Sequence, residues 1–375
     1  MGMEILMGGV TMKEIRKIGI LTGGGDAPGL NAVIRAVVKT ANIRYGVQTH
    51  GFLDGFKGLV TNKGRALTIA DVSGILPRGG TILGTTNRDN PFNFLVIENG
   101  EEIYKDCSSS VMDNIKKLDI DALVVIGGDG SLHIAREFHR MGLPVVGVPK
   151  TIDNDLSATD VTFGFNTAMN TATDAIDKLH TTAESHHRVM VLEVMGRYAG
   201  WIAVEAGIAG GADVILIPEI PYMMDRVCNK IAERQNRGKY FSIVVVAEGA
   251  KPKGGEMVVQ RYVKDTADPI RLGGVGHKIA AEIEALTGVE TRVTILGHLQ
   301  RGGSPSPFDR ILATRYGVGA VELIMTGQFG RMVSLQTPNI VSVSLDEAVE
   351  KAKFVPADGD LVRAGKSVGI SFGNE

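Results

Sequence analysis

At 375 residues, with 44% of positions hydrophobic and 22% charged, the chain can hold two ordinary cores, since a single core rarely grows beyond roughly 250 to 300 residues. A formal charge of −2 excludes the strong basic excess of a nucleic-acid binder, and no stretch approaches the roughly 18 apolar residues of a membrane span. Two cysteines, Cys107 and Cys228, exclude a disulfide framework and a cysteine metal cluster, and fit a reducing, cytoplasmic setting.

The opening MGMEILMGGVTMKEI lacks a cationic start and a sustained apolar run, so it reads as a frayed leader before Lys13 and not as a signal peptide. Strands are then predicted, in order, at Ile18–Leu21, Ala122–Ile126, Val145–Val148, Val189–Val194, Val214–Ile217, Ile243–Val246 and Val293–Leu296. Helical spacing lies between them, at Asn31–Ala41, Leu132–Arg140, Thr167–Thr181 and His277–Leu286. Strands apolar at every position and separated by helices predict an α/β protein whose parallel strands are covered on both faces. Ligands of such sheets bind beyond the carboxyl ends of the strands. The Gly-rich segment 249–276 reads as a surface excursion.

Three loops occupy those strand ends. Leu21-Thr-Gly-Gly-Gly-Asp-Ala-Pro-Gly-Leu-Asn31 runs from a strand into a helix, where backbone amides can cradle phosphate, although three glycines alone also describe a tight turn. Gly127-Gly-Asp-Gly-Ser131 adds Asp129, a carboxylate suited to magnesium, which prefers one or two carboxylates together with phosphate oxygens and water. Pro149-Lys-Thr-Ile-Asp-Asn-Asp155 sets two acids two residues apart, on one side of an extended backbone, although an Asx-rich turn would also explain Asn154 and one Asp while giving no reason for Lys150. One can accept a proton from an attacking hydroxyl while the other steadies the metal or its partner. Further on, Arg197 in Met195-Gly-Arg-Tyr-Ala-Gly200, and His298 and Arg301 in Gly297-His-Leu-Gln-Arg-Gly-Gly-Ser304, stand beside glycines after strands, where they can bind phosphate.

Taken together, GGGDAPGLNAVIR, GGTILGTTNR, GGDGS, PKTIDNDL, the run from His187 to Trp201, and GHLQRGGSPSPFDR resemble the 6-phosphofructokinase family from Lys17 to about Leu323. The resemblance implies a two-lobed fold of Rossmann-like, three-layer αβα sheets with the active site between the lobes. It implies a larger lobe over 12–164 and 300–350 and a smaller one over 165–299 and 351–375. The implied activity is glycolytic transfer of a phosphoryl group from ATP, with Mg2+, to the 1-hydroxyl of fructose 6-phosphate.

By resemblance, Gly25, Phe56, Arg88, Gly128, Asp129, Gly130 and Ser131 bind nucleotide, with Asp129 nearest the metal. Thr151, Asp153 and Asp155 match the catalytic loop, with Asp153 as the base and Arg197 and Gly25 stabilising the transferring group. Met195, Gly196, Glu248, His298 and Arg301 resemble the sugar-phosphate pocket, and Arg188 and Arg292 match arginines supplied by a neighbouring subunit, which implies a homotetramer or homodimer with shared sites.

The donor is set by two positions that point in different directions. Gly130 leaves room for the α-phosphate of ATP, whereas Lys150 matches a lysine that holds pyrophosphate in relatives using that donor. An absent steric block is required for ATP, while an extra ammonium suits either donor, so ATP is expected and pyrophosphate is the alternative. More distant alternatives are an NAD or diacylglycerol kinase, which shares GGDG, and a non-catalytic sugar-phosphate sensor.

Overall fold

A computed structural model describes residues 14–262 and 270–375. The leader before Lys13 and the middle of the 249–276 excursion lie outside the described residues. Among the described residues, the strands of the larger sheet run in the order Asn339–Ser344, Arg331–Gln336, Val145–Thr151, Ala122–Gly127, Lys17–Thr22, Gln48–Phe52, Gly64–Leu67. The pairings from Arg331–Gln336 through to Gln48–Phe52 are parallel, and each border strand is antiparallel to its neighbour. A second sheet, Val214–Leu216, Ser242–Ala247, Val189–Val194, Thr291–Ile295, is parallel throughout.

Continuous apolar runs produce this layering because alternate residues of each strand feed opposite faces. In the larger sheet Ile18, Ile20, Val124 and Ile126 pack in one core with the helices Leu30–Tyr45 and Pro307–Met325. Leu21, Leu123 and Val125 pack on the other side with the helices Ser108–Lys117 and Asp129–Arg140. The smaller sheet repeats the arrangement. Met190, Leu192 and Val245 meet the helices Phe165–His186 and Trp201–Ala209, while Val191, Val244 and Val246 meet the helices Met224–Asn236 and Val275–Thr287. Each sheet is thus the middle of three layers.

The predicted strands and helices are all present, with shifted ends. The last predicted strand begins at Thr291, two residues earlier than its apolar run, because it is the edge of its sheet and can start on polar residues. The helix predicted from Leu132 begins at Asp129, so Asp129, Gly130 and Ser131 form its first turn. The larger sheet also departs from the purely parallel expectation at both borders. These strands escaped the sequence pattern because they mix polar residues with apolar ones.

The chain crosses between the two sheets three times. It leaves the larger one after Val145–Thr151 to enter the helix Phe165–His186, and returns through the turn Gly297–Arg301 into the helix Pro307–Met325. After the short helix Leu345–Ala348 it crosses once more to the helix Asp360–Ser367, which packs on Trp201–Ala209.

Candidate active site

Loops at the ends of the larger sheet's strands, together with Arg301 from the second crossing, line a cavity of about 780 Å3. Its floor begins where the strand Lys17–Thr22 ends: the Gly23 amide donates to the Ile126 carbonyl (2.9 Å) and the Gly24 amide to the Thr86 carbonyl (3.0 Å). A side chain is excluded by proximity at Gly23 and crowds the mobile end of Arg301 at Gly25. A Cβ on Gly23 would lie 2.6 Å from Ser131 Oγ, and one on Gly25 3.0 Å from Arg301 Nη1. The Asn31 amide holds the neighbouring wall, donating to the Arg78 (3.1 Å) and Gly79 (3.2 Å) carbonyls while its oxygen accepts from the Ile82 amide (2.8 Å).

The strand Ala122–Gly127 ends one residue before the helix Asp129–Arg140, whose N-cap residue, Gly128, offers no side-chain cap. The first amides of that helix are therefore available to an anion. Gly127 is needed for packing, since its Cβ would fall 2.3 Å from that of Ser131. Gly130 is different. A Cβ there meets nothing within 4 Å and its φ is not positive, so neither packing nor backbone conformation demands glycine. Asp129 is exposed beside it and faces His133 Nδ1 at 3.4 Å.

The strand Val145–Thr151 carries Lys150, 3% exposed, whose Nζ donates to the Gly25 carbonyl. Burial pushes this ammonium down to about 7, helped by the Arg301 charge and opposed by Asp26, Asp153 and Asp155. Beyond Thr151 the backbone does not stay extended as expected: Asn154 takes a positive φ of 51° between the two acids. The acids are consequently not equivalent. Asp153 lines the cavity, with its amide donating to the Thr151 hydroxyl (3.1 Å), whereas Asp155 is not among the lining residues. Burial raises Asp153, against the pull of Arg301, Arg197 and Lys150. Burial, then the neighbouring charge of Asp153, raises Asp155 to about 7.

From the smaller sheet come Met195, Gly196 and Arg197, directly after the strand Val189–Val194. Gly196 has φ 140° and could hold no Cβ, which would sit 2.8 Å from the Ala199 carbonyl oxygen. The Arg197 carbonyl oxygen would lie 1.9 Å from a Cβ on Gly249, so the loop after Glu248 closes tightly over it. Glu248 is raised to about 7, first by burial and then by Asp153, with Arg197 and Arg301 opposing. Asp153, Glu248, Arg197 and Arg301 thus form one electrostatic cluster drawn from both sheets. Arg301 reaches across to the first glycine loop, its Nη1 donating to the Asp26 carbonyl (3.1 Å).

Gly25, Phe56, Arg88, Gly128, Asp129, Gly130, Ser131, Lys150, Thr151, Asp153 and Arg301 all line this cavity. Met195, Gly196, Arg197, Glu248 and His298 stand at the facing strand ends, outside its lining. Arg188 and Arg292 are not brought there. They occupy the opposite ends of their strands, where Arg188 Nε lies 2.8 Å from Glu290 and Arg292 also pairs with it.

Three contributors escaped the sequence reading. Tyr104, on the hairpin of Phe94–Glu98 with Glu101–Lys105, and Asn93, just before it, also line the cavity, and the hairpin's Asn99-Gly100 turn was a readable signal. Gln300, fully buried, accepts from the Met195 amide (2.8 Å) and ties the Met195 loop to the turn bearing His298 and Arg301.

The Phosphofructokinase family model matches residues 17–324. Among curated relatives, "ATP-dependent 6-phosphofructokinase 2" of Clostridium perfringens is 58% identical over 96% of this chain and 99% of its own length. "ATP-dependent 6-phosphofructokinase" of Chloroflexus aurantiacus is 54% identical over 96% of this chain and 98% of its own. A "Pyrophosphate--fructose 6-phosphate 1-phosphotransferase" of Streptomyces coelicolor is 51% identical over 95% and 100%. Among solved structures, phosphofructokinase from Saccharomyces cerevisiae superposes with a TM-score of 0.77 at 33% identity over 89% of this chain, which spans 45% of that longer one.

Proposed function

The chain belongs to the phosphofructokinase family, and on that footing we propose that it is an ATP-dependent 6-phosphofructokinase, transferring the γ-phosphoryl group of ATP to the 1-hydroxyl of fructose 6-phosphate in glycolysis. The observation that carries the choice of donor is the reach of the cavity. It continues past the phosphate-cradling loops to Arg88, Asn93 and Tyr104, and its volume of about 780 Å3 falls within the roughly 300 to 1,000 Å3 of pockets that take drug-sized ligands. Pyrophosphate would use only the glycine-lined end. Gly130, which nothing in the fold requires, keeps that route open.

Asp153 accepts the proton of the attacking hydroxyl. Arg197 and the Gly25 amide stabilise charge on the transferring group, and Thr151 and Asp155 orient the loop. Alignment and charge stabilisation dominate such a transfer. Met195, Gly196, Glu248, His298 and Arg301 hold the sugar phosphate. Asp129 suits a magnesium ion carried on the donor: its carboxylate is exposed on the cavity wall, and among the described residues no group of three or more acids, histidines and cysteines could cage an ion by itself. Magnesium, when bound, neutralises charge on the donor phosphates.

The lobes are assigned as 12–164 with 300–350 and 165–299 with 351–375. Arg188 and Arg292, remote from the cavity of their own chain, serve a neighbour's site in a homotetramer or homodimer. Cytoplasmic residence suits the free thiols of Cys107 and Cys228. Among the described residues no helix is long and apolar enough to cross a membrane.

A pyrophosphate-dependent enzyme is the second reading, favoured by Lys150 beside the glycine loop and by the Streptomyces coelicolor relative. Initial rates of fructose 1,6-bisphosphate formation with magnesium and either donor at matched concentrations separate the two. Faster turnover with ATP is expected, and faster turnover with pyrophosphate would reverse the donor assignment.

A further inference from the structure

The third crossing between the sheets, after the helix Leu345–Ala348, passes directly against the loop that bears Asp153 and Asp155. Lys353 lies at its centre. Its Nζ donates to Asn154 Oδ1 (3.0 Å) and to the carbonyls of Thr159 (3.0 Å) and Asp160 (2.8 Å), so all three ammonium hydrogens are spent on this one loop. Its own amide donates to the Asp155 carbonyl (2.8 Å), and Leu156 pairs with Ala352 alongside.

The same residue also grips the opposite lobe. The indole of Trp201 donates to the Lys353 carbonyl (2.9 Å), and the ammonium lies 5.6 Å from the centre of that ring. Two residues on, the Val355 amide donates to Glu219 (2.9 Å), whose carboxylate also accepts from the Gly200 amide (3.0 Å). Gly200 ends the loop that begins with Met195, Gly196 and Arg197, and Trp201 opens the helix that follows it.

We propose that Lys353 is a positioning residue for phosphoryl transfer: its ammonium pins the Asn154–Asp160 loop, and its backbone fastens that loop to the Arg197 loop, fixing Asp153 and Arg197 relative to one another. A residue lodged merely to seat the C-terminal helix would need no ammonium with all its donors on one loop. Asn154 bends that loop through a positive φ between the two acids, and its Oδ1 accepts from both Lys353 and the Thr162 amide (3.2 Å). The inference rests on Asp153 being the base.

The experiment is a double-mutant cycle of Lys353→Met with Asp153→Asn in the full-length enzyme. Lys353→Met should lower kcat by about 10- to 100-fold, as expected for a misplaced base, with the KM for ATP within about threefold of wild type. Lys353→Arg should restore most of kcat. In the Asp153→Asn background the lysine change should cost little more, because both act on one step.

Equal losses in the two backgrounds, or a fall in kcat/KM arising wholly from KM, would overturn the positioning role. If Asp153→Asn alone leaves kcat unchanged, the base assignment falls instead. Should Lys353→Met fail to fold, Trp201→Phe, which removes only the indole donor, must lower kcat without altering ATP affinity, and an unchanged kcat there counts against the proposal.

Discussion

Gly130→Asp should make the protein more stable and a worse user of ATP. Position 130 lies in the first turn of its helix, and a Cβ there meets nothing within 4 Å. Replacing glycine removes a helix penalty of a few tenths of a kcal/mol, and an anion at a helix N-terminus adds about 0.3 to 1 kcal/mol. For a chain of this size the gain corresponds to a rise in Tm of roughly 1 to 3 °C. The same carboxylate projects into the open cavity, where a donor phosphate about 5 Å away would be repelled by about 3 kcal/mol at an effective dielectric near 20. That energy is about 10²-fold in kcat/KM for ATP. The assay couples fructose 1,6-bisphosphate formation to NADH oxidation, with each donor in turn, alongside thermal unfolding of the free protein. Gly130→Ala, which adds bulk without charge, separates the two effects. ATP-dependent kcat/KM within about threefold of wild type in Gly130→Asp would refute the argument that an empty position 130 admits the nucleotide.

Asp153→Ser should keep substrate affinity while lowering turnover by about 10² to 10⁴-fold, measured in the same assay, and unchanged turnover would remove Asp153 from the base role. Arg301→Ala should weaken fructose 6-phosphate far more than ATP, by about 1.5 to 3 kcal/mol, although its guanidinium also touches the Asp26 carbonyl; equal losses for the two ligands would contradict the sugar-phosphate assignment. With a pKa of about 7, Lys150 is largely neutral at pH 8 in the free enzyme, and a donor phosphate favours the ammonium, so donor binding at pH 8 should take up a proton. Calorimetry in buffers of different ionisation enthalpy reads that uptake, and Lys150→Met should abolish it; uptake that persists in this variant would assign the proton elsewhere.

Much of the scaffold was readable because its strands are apolar at every position. Ala122–Gly127 and Val189–Val194 are buried throughout, as continuous apolar runs must be when helices cover both faces of a sheet. The glycine loops were equally plain, since Gly23, Gly127 and Gly196 each stand where a Cβ would collide. Border strands were harder. Gly64–Leu67 is exposed at three of its four residues, and Asn339–Ser344 is mostly half-buried, so neither carries a continuous apolar signal. The bend at Asn154 was legible only as one of two readings, because Asp-Asn-Asp fits an extended segment and an Asx-rich turn alike. Gln300, Glu219 and Lys353 act through partners far along the chain, which no local spacing encodes. Arg188 and Arg292 could be recognised only by resemblance, as nothing in one chain leads them to the cavity.

The last crossing also sets when the enzyme can first work. Lys353 and its partner Asn154 are separated by 199 residues. At the usual 5 to 20 residues per second of synthesis, the loop bearing Asp153 waits roughly 10 to 40 s for the ammonium that anchors it. During that interval the strands up to Val145–Thr151 and their phosphate-cradling turns have already been made, whereas the helix Pro307–Met325 and the strand Arg331–Gln336 that complete the larger core come only near its end, and the acidic loop lacks a fastening. The acidic loop is therefore made well before its anchor, and it is fastened only when the segment bearing Lys353 is drawn back across both lobes.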